Sequence, residues 1–212
     1  MARKTKEDAC ITRNHILDAA VECFGKQGVS RTSLNDIARQ AGVTRGAIYW
    51  HFSNRGELFV AMVERLVCPL ILQSEEYFRQ MMTADPLGFI RASTLGFFDK
   101  LTHDANFYRV FEILWHKCEY VGEMADIRKR HLDEGEKHID ILQQAFIRMR
   151  QNGQLSSRLT PHQATIALIS LVDGLIFNWT KSNRLLFPLE SYGRPILNAF
   201  LDSLQTGEGR RF

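Results

Sequence analysis

The 212-residue sequence has no long apolar run: nothing in it approaches the ~18–20 consecutive apolar residues of a membrane helix. Its most apolar stretch, Ile166–Phe177, is interrupted by Asp173. A membrane role is therefore not expected. A secretion signal is not expected either, because Glu7 and Asp8 stand where its apolar region would begin. The four cysteines, Cys10, Cys23, Cys68 and Cys118, are far apart and form no Cys-x-x-Cys pair. That excludes a disulfide framework and fits a reducing cytoplasm; the sequon Asn178-Trp179-Thr180 then reads as chance. There is no nucleophile–base constellation, Gly-rich phosphate loop or His-Glu-x-x-His helix, so neither an enzyme nor a cofactor is expected. Repeats and low-complexity segments are lacking, and no segment reads convincingly as a strand.

What the sequence does have is helical periodicity almost throughout, with 45% apolar and 24% charged residues. The net charge of +3 conceals an asymmetry. Residues 1–56 carry nine Lys/Arg against five Asp/Glu, and the remainder 18 against 19. The excess positive charge thus lies in the first quarter, where a polyanion would be gripped.

The expected fold is all-α, with about nine helices. The first follows Thr5 and ends at Gly25 or Gly28. Ser33, with Asp36 in capping-box position, opens a second that Gly42 stops. Thr44 caps a third, and Asn54 with Glu57 caps a long fourth, in which Pro69 must kink or break the helix. Asp85-Pro86 and Thr160-Pro161 are strong helix starts. Helices are expected at roughly 86–102, 105–118, 122–152, 160–181 and 191–206, with Pro195 fitting only a first turn.

Ser33–Phe52 carries the sharpest signal. Two helices of about two turns, joined by Gly42-Val43-Thr44, form a helix-turn-helix. Ala38 allows close approach of the two helices. Gly42 can take the left-handed conformation of a tight helix exit. Ile48 and Phe52 would bury the inner face of the second helix. Its outer face would present Thr44, Arg45, Gly46 and Tyr49. Arg45 can pair with a guanine edge, Gly46 lets the backbone approach a groove, and Tyr49, Trp50 and His51 offer polar tips to phosphates. Thr32, Ser33 and Arg55 stand at neighbouring helix starts, within reach of flanking phosphates. A helical hairpin with a Gly turn is also common in helical cores, as are aromatic runs such as Tyr49-Trp50-His51-Phe52.

Residues 2–60 resemble the DNA-binding domain of the tetracycline-repressor (TetR) family. The motifs are Ala2-Arg3-Lys4-Thr5-Lys6, Thr12-Arg13…Ile16-Leu17-Asp18-Ala19-Ala20, Gly28-Val29-Ser30-Arg31-Thr32-Ser33-Leu34, Asp36-Ile37-Ala38…Ala41-Gly42-Val43-Thr44-Arg45-Gly46-Ala47-Ile48-Tyr49-Trp50-His51-Phe52 and Glu57-Leu58. The family's DNA-contact roles fall on Thr44, Arg45, Gly46, Tyr49, Trp50, His51 and Arg55. Glu112–Glu119 with Glu123-Met124, and Asp173-Gly174-Leu175-Ile176, are similar to the AcrR-like branch, which represses multidrug efflux pumps.

The resemblance implies a DNA-binding repressor released by a small-molecule inducer from a palindromic operator. It implies residues 1–56 as the head, 57–206 as a ligand-binding and dimerisation body, and 207–212 as a tail. By the same analogy Leu66, Phe97, Phe111, Trp115, Val172, Asp173, Ile176 and Phe177 line the pocket, although core packing is the default for such apolar groups. Asp173 could pair internally or meet a ligand. The apolar faces of the last two helices (Ile166, Ile169, Leu175, Trp179; Ile196, Phe200, Leu201, Leu204) would form a homodimer, setting two heads on half-sites roughly 34–36 Å apart. Two alternatives use the same head: a metal- or redox-sensing regulator built on His116, Cys118, His131 and His138, and an activator.

Overall fold

The computed structural model describes residues 6–66, 85–120, 124–182 and 184–205, the side chains of 125–135 and 138 excepted. Nine helices are seen among them. The first four are α1 (Lys6–Gln27), α2 (Leu34–Gln40), α3 (Arg45–His51) and α4 (55–66). The others are α5 (Pro86–His103), α6 (Ala105–His116), α7 (Ala125–Gln151), α8 (Pro161–Lys181) and α9 (Leu189–Ser203). The only β-type pairing among the described residues is an isolated bridge, Leu155 to Gln205. Thr5, Cys68, Pro69 and the 207–212 tail lie outside the described residues.

Most helix starts are fixed by local chemistry. Asp85 accepts the Gly88 N–H (2.9 Å) with Pro86 at the first helical position. Thr160 and Gln163 form a reciprocal capping box at the start of α8. Asn54 Oδ1 accepts the Glu57 N–H (2.8 Å), while the Glu57 carboxylate accepts the Ser53 N–H (2.7 Å). Helix α7 ends in a left-handed Gly153 (φ +70°), whose N–H donates to Arg150 O while that of Gln154 donates to Met149 O. This double bond closes the orphan carbonyls of the last turn. Helix α9 departs from expectation. It begins at Leu189, so Pro195 lies in its second turn rather than its first. Pro195 has no N–H to donate to Ser191, and its exposure leaves that carbonyl to water.

The helices form two compact units. The first holds α1–α4 and α6; the second holds α5, α7 from residue 131 on, α8 and α9. The units therefore do not follow the linear division at 56/57. The apolar stripe of α1 (Ile16, Leu17, Ala20, Phe24) is too broad for α2 and α3 to cover. Leu58, Phe59 and Met62 of α4 and Val110 and Ile113 of α6 complete one core with it. Phe24 meets Phe59 edge-on at 5.9 Å.

In the second unit α9 packs on α5 and α8. Arg91 of α5 donates to Asp202 (2.7 Å) and to Asn198 of α9, and His103 lies 3.2 Å from Glu190. The closest approach is at Gly193 of α9. A Cβ there would stand 2.9 Å from Phe98 Cδ2 and 3.1 Å from Leu189 Cδ1. Both neighbours are buried core atoms with little room to shift. Gly193→Ala is expected to cost about 1–3 kcal/mol by overpacking, despite the better helix propensity of Ala. Urea unfolding would show it as a lower midpoint; an unchanged or higher midpoint would mean that α5 and α9 can slide apart.

Candidate nucleic-acid interface

The loop from α1 into α2 is the foundation of the candidate site. Gly28 is left-handed (φ +82°) and returns its N–H to Phe24 O at 2.9 Å. Thr32 is buried, and its hydroxyl donates to Gly28 O at 2.7 Å. Ser33 then caps α2 reciprocally. The Asp36 N–H donates to Ser33 Oγ (3.2 Å), while the Ser33 N–H (3.0 Å) and hydroxyl (2.6 Å) both donate to Asp36 Oδ2. These bonds hold the Asp36 carboxyl below its usual range, the Ser33 hydroxyl contributing most.

Helix α2 ends as its sequence requires. Gly42 has φ +66°; its N–H donates to Arg39 O (3.2 Å) and that of Val43 to Ala38 O (3.0 Å). This is the Schellman pairing, which an L-residue at 42 would strain. Thr44 follows as the cap of α3, accepting the Ala47 N–H at 3.1 Å. Ile48 and Phe52 bury the inner face of α3, and the Arg13 guanidinium covers the Phe52 ring at 5.3 Å.

The outer face of α3 is exposed. Trp50 is 73% and Tyr49 46% exposed, values far from core packing. Arg45 is exposed and lies over the Tyr49 ring at 5.6 Å, one turn along the same face. A Cβ on Gly46 would meet nothing nearer than Thr44 Oγ1 at 4.0 Å, so the protein interior does not demand glycine there. His51 is half-buried, edge-on to Trp50 at 4.5 Å. Ser33, Thr44, Arg45, Gly46, Tyr49 and Trp50 are thus presented outward on a rigid two-helix frame.

Two expected phosphate contacts are engaged inside the head instead. Thr32 is only 1% exposed, its hydroxyl spent on Gly28 O. Arg55 Nη1 donates to Val29 O (3.1 Å), Ser30 O (2.7 Å) and Thr32 O (3.3 Å). A charged hydrogen bond contributes about 1.5–3 kcal/mol net, so withdrawing the guanidinium to a phosphate would strand several carbonyls at once. Arg55 organises the loop. Sequence reasoning had no signal for this, because its acceptors lie 23–26 residues away.

With this geometry in view, the comparisons with known proteins converge. Residues 16–62 match "Bacterial regulatory proteins, tetR family", and residues 85–206 match "MAATS-type transcriptional repressor, C-terminal region". The chain belongs to the tetR family. It is 37% identical over 179 residues to the HTH-type transcriptional regulator AcrR of Shigella flexneri, covering 84% of this chain and 83% of that protein. Its fold is similar to that of NalD, the secondary repressor of the MexAB-OprM multidrug efflux pump in Pseudomonas aeruginosa. There the TM-score is 0.84 at 34% identity, over 94% of this chain and 98% of that one. The SmeT–triclosan complex matches with TM-score 0.80 at 30% identity, over 94% and 93%. The AcrR-like resemblance read from the sequence thus holds along almost the whole chain.

The eight residues expected to line a ligand pocket fall in both compact units. Leu66, Phe111 and Trp115 belong to the first, all half-buried. Phe111 meets Phe107 at 4.8 Å and Trp115 edge-on at 6.2 Å. Trp115 also lines a cleft of about 280 Å³ with Lys26, Arg31, Lys117 and Cys118. In the second unit Phe97 and Val172 are half-buried and Ile176 is buried. Asp173 and Phe177, one turn apart on α8, are exposed. Asp173, expected either to pair internally or to meet a ligand, is turned outward by the helix, although desolvation still raises its carboxyl above the usual value. The apolar face expected of α8 is also divided, with Trp179 inward and Ile166 outward.

The Asp36 shift sets a pH dependence. A carboxyl depressed in the folded state stabilises above its unfolded value of about 3.9 and loses that contribution as pH falls through the folded value. Ser33→Ala is expected to cost about 1 kcal/mol near neutral pH and to return Asp36 toward its ordinary range. An NMR titration of Asp36 in the two proteins checks this; coincident curves would refute the capping account.

Proposed function

We propose that this chain is a homodimeric repressor of a multidrug efflux operon, released from a palindromic operator by a lipophilic or aromatic drug. The observation that carries the reading is the outer face of α3. Arg45, Gly46, Tyr49 and Trp50 stand exposed on a helix whose cap, turn and buried face are all fixed. A packing helix would bury its large aromatics; a reading helix offers them to a groove. Arg45 reads a base edge, Gly46 admits the backbone, and Ser33, Thr44, Tyr49, Trp50 and His51 meet phosphates and flanking bases. Thr32 and Arg55 support them from beneath.

Efflux control rests on the likeness to NalD, and drug binding on the likeness to the SmeT–triclosan complex. In the first unit the half-buried rings of Phe111 and Trp115, edge-on at 6.2 Å, have the character that suits an aromatic ligand. Pairing through α8 and α9 is supported by the exposed Ile166, Phe177 and Tyr192, apolar groups a solitary chain would leave in water. Asp173 and Phe177 belong to that pairing face rather than to the ligand wall. Release follows if drug binds more tightly to a state in which the two heads no longer match the half-sites.

Redox sensing through Cys118 is disfavoured. Burial pushes its thiol up to about 11, so it remains protonated and slow to oxidise near neutral pH. Repression is preferred to activation because the C-terminal region matches a repressor type.

The test is a fluorescence-anisotropy titration with DNA from upstream of the protein's own gene, at several salt concentrations and with unrelated DNA as competitor. Specific, salt-sensitive binding that triclosan or related drugs reverse is expected. Arg45→Ala should weaken the specific complex roughly 10- to 100-fold, as loss of one paired base contact does, while binding to unrelated DNA changes far less. Asp173→Ala should leave drug release intact. Equal losses on specific and unrelated DNA would demote Arg45 to a phosphate contact, and lost release in a folded Asp173→Ala dimer would return Asp173 to the ligand wall.

A further inference from the structure

Lys117, the residue after α6, reaches across 92 residues of sequence to the end of α1. Its ammonium donates to Gly25 O in the last turn of α1 (2.5 Å) and pairs with Glu112 at 2.8 Å. Its own carbonyl accepts the Val29 N–H at 2.9 Å. The left-handed Gly28 (φ +82°) turns the chain here, a conformation that favours glycine, although the space itself would admit a Cβ at 3.5 Å from Lys117 O. Two helix C-termini, each carrying partial negative charge, therefore meet at one junction, and the ammonium between them offsets the repulsion.

The junction does not end at α1. Val29, held by Lys117 O, also gives its carbonyl to Arg55, which binds Ser30 O and Thr32 O as well. The next residue, Ser33, is the cap of α2, and α2 carries the turn that presents α3. Every link from Lys117 to the reading helix is a named hydrogen bond or a covalent neighbour within the first compact unit.

We propose that Lys117 is a positioning residue for operator recognition: by tying the C-terminus of α6 to the last turn of α1 and to the loop entering α2, it sets the orientation in which α3 meets DNA. The proposal rests on the reading of α3 as an operator-reading helix. Lys117 itself touches no DNA, since its ammonium is occupied by Glu112 and Gly25 O. Its loss should therefore lower operator affinity without removing a phosphate contact.

The experiment compares the wild-type protein with Lys117→Met, Lys117→Arg and the double variant Glu112→Gln/Lys117→Met. Operator affinity is measured by anisotropy across a salt series, and the same samples are melted by circular dichroism. Lys117→Met is expected to weaken operator binding about tenfold, the scale of one charged hydrogen bond expressed in the binding-competent state, with an unchanged salt slope. Lys117→Arg, whose fork can span both acceptors, should stay within about twofold of wild type. The double variant should remain as weak as Lys117→Met, because the uncapped Gly25 carbonyl is common to both. Wild-type affinity in Lys117→Met overturns the proposal. So does a salt slope shallower by about one, which marks a direct phosphate contact. Recovery in the double variant would assign the loss to the stranded Glu112 charge, and a melting transition below the assay temperature would assign Lys117 to stability alone; either also overturns it. A wild-type protein without specific binding would instead remove the operator reading itself.

Discussion

The head depends on closing the carbonyls at the end of α1. A helix leaves its last four C=O groups without helical partners, and burying them unsatisfied costs about 1–3 kcal/mol each. Here three of them find partners, the Gly28 N–H on Phe24 O, Lys117 on Gly25 O and Arg31 Nε on Gln27 O, and just beyond the helix the Thr32 hydroxyl closes Gly28 O. Arg55 then closes the three loop carbonyls that follow. A six-residue loop that would otherwise be soft becomes a fixed platform. The reading helix is a seven-residue element that could not hold itself in water, and it inherits its orientation from that platform and from the buried Ile48 and Phe52.

This dependence explains what the sequence could and could not reveal. Features that act within four residues were legible. The caps at Ser33, Thr44, Asn54, Asp85 and Thr160, and the left-handed exits at Gly42 and Gly153, stand where their residue types placed them. Residues whose partner is distant were not. Arg55 and Lys117 are ordinary basic residues until the fold brings carbonyls to them from 23–26 and 92 residues away. Pro195 was misplaced by one turn because α9 starts on Leu189 without a side-chain cap, leaving no local mark. Asp173 stayed open between two readings because an apolar neighbourhood in sequence is shared between two faces of a helix: Ile176 and Trp179 turn inward while Asp173 and Phe177 turn outward.

The contrast between head and body follows from what each must do. A reading helix has to reproduce its angle to within a fraction of an ångström at the bases, so its frame is made of directional bonds and a closed core. On the proposed reading, a ligand-responsive part gains from half-buried aromatic surface that can repack, and Phe111 and Trp115 have that character. The family relationship runs through both parts, and both carry helix caps, but in the head the caps sit on a loop that is itself closed by Arg55 and Lys117.

Charge in the head divides along the same line. Counting basic residues suggests a broadly cationic DNA surface, but several of these cations are committed to the protein. Arg65 holds Asp18 at 2.7 Å and Asn14 O at 3.2 Å, Arg109 pairs with Glu22, Arg13 covers Phe52, and Arg55 and Lys117 clamp the loop. Each is held by an acid, a ring or backbone carbonyls of the protein itself. Arg45 differs: it is exposed, braced only by an aromatic ring on its own face, and able to leave that ring at small cost. On the proposed reading of α3, recognition falls to groups such as Arg45 that folding leaves exposed, while Arg55 and Lys117 hold the loop from which that helix is presented.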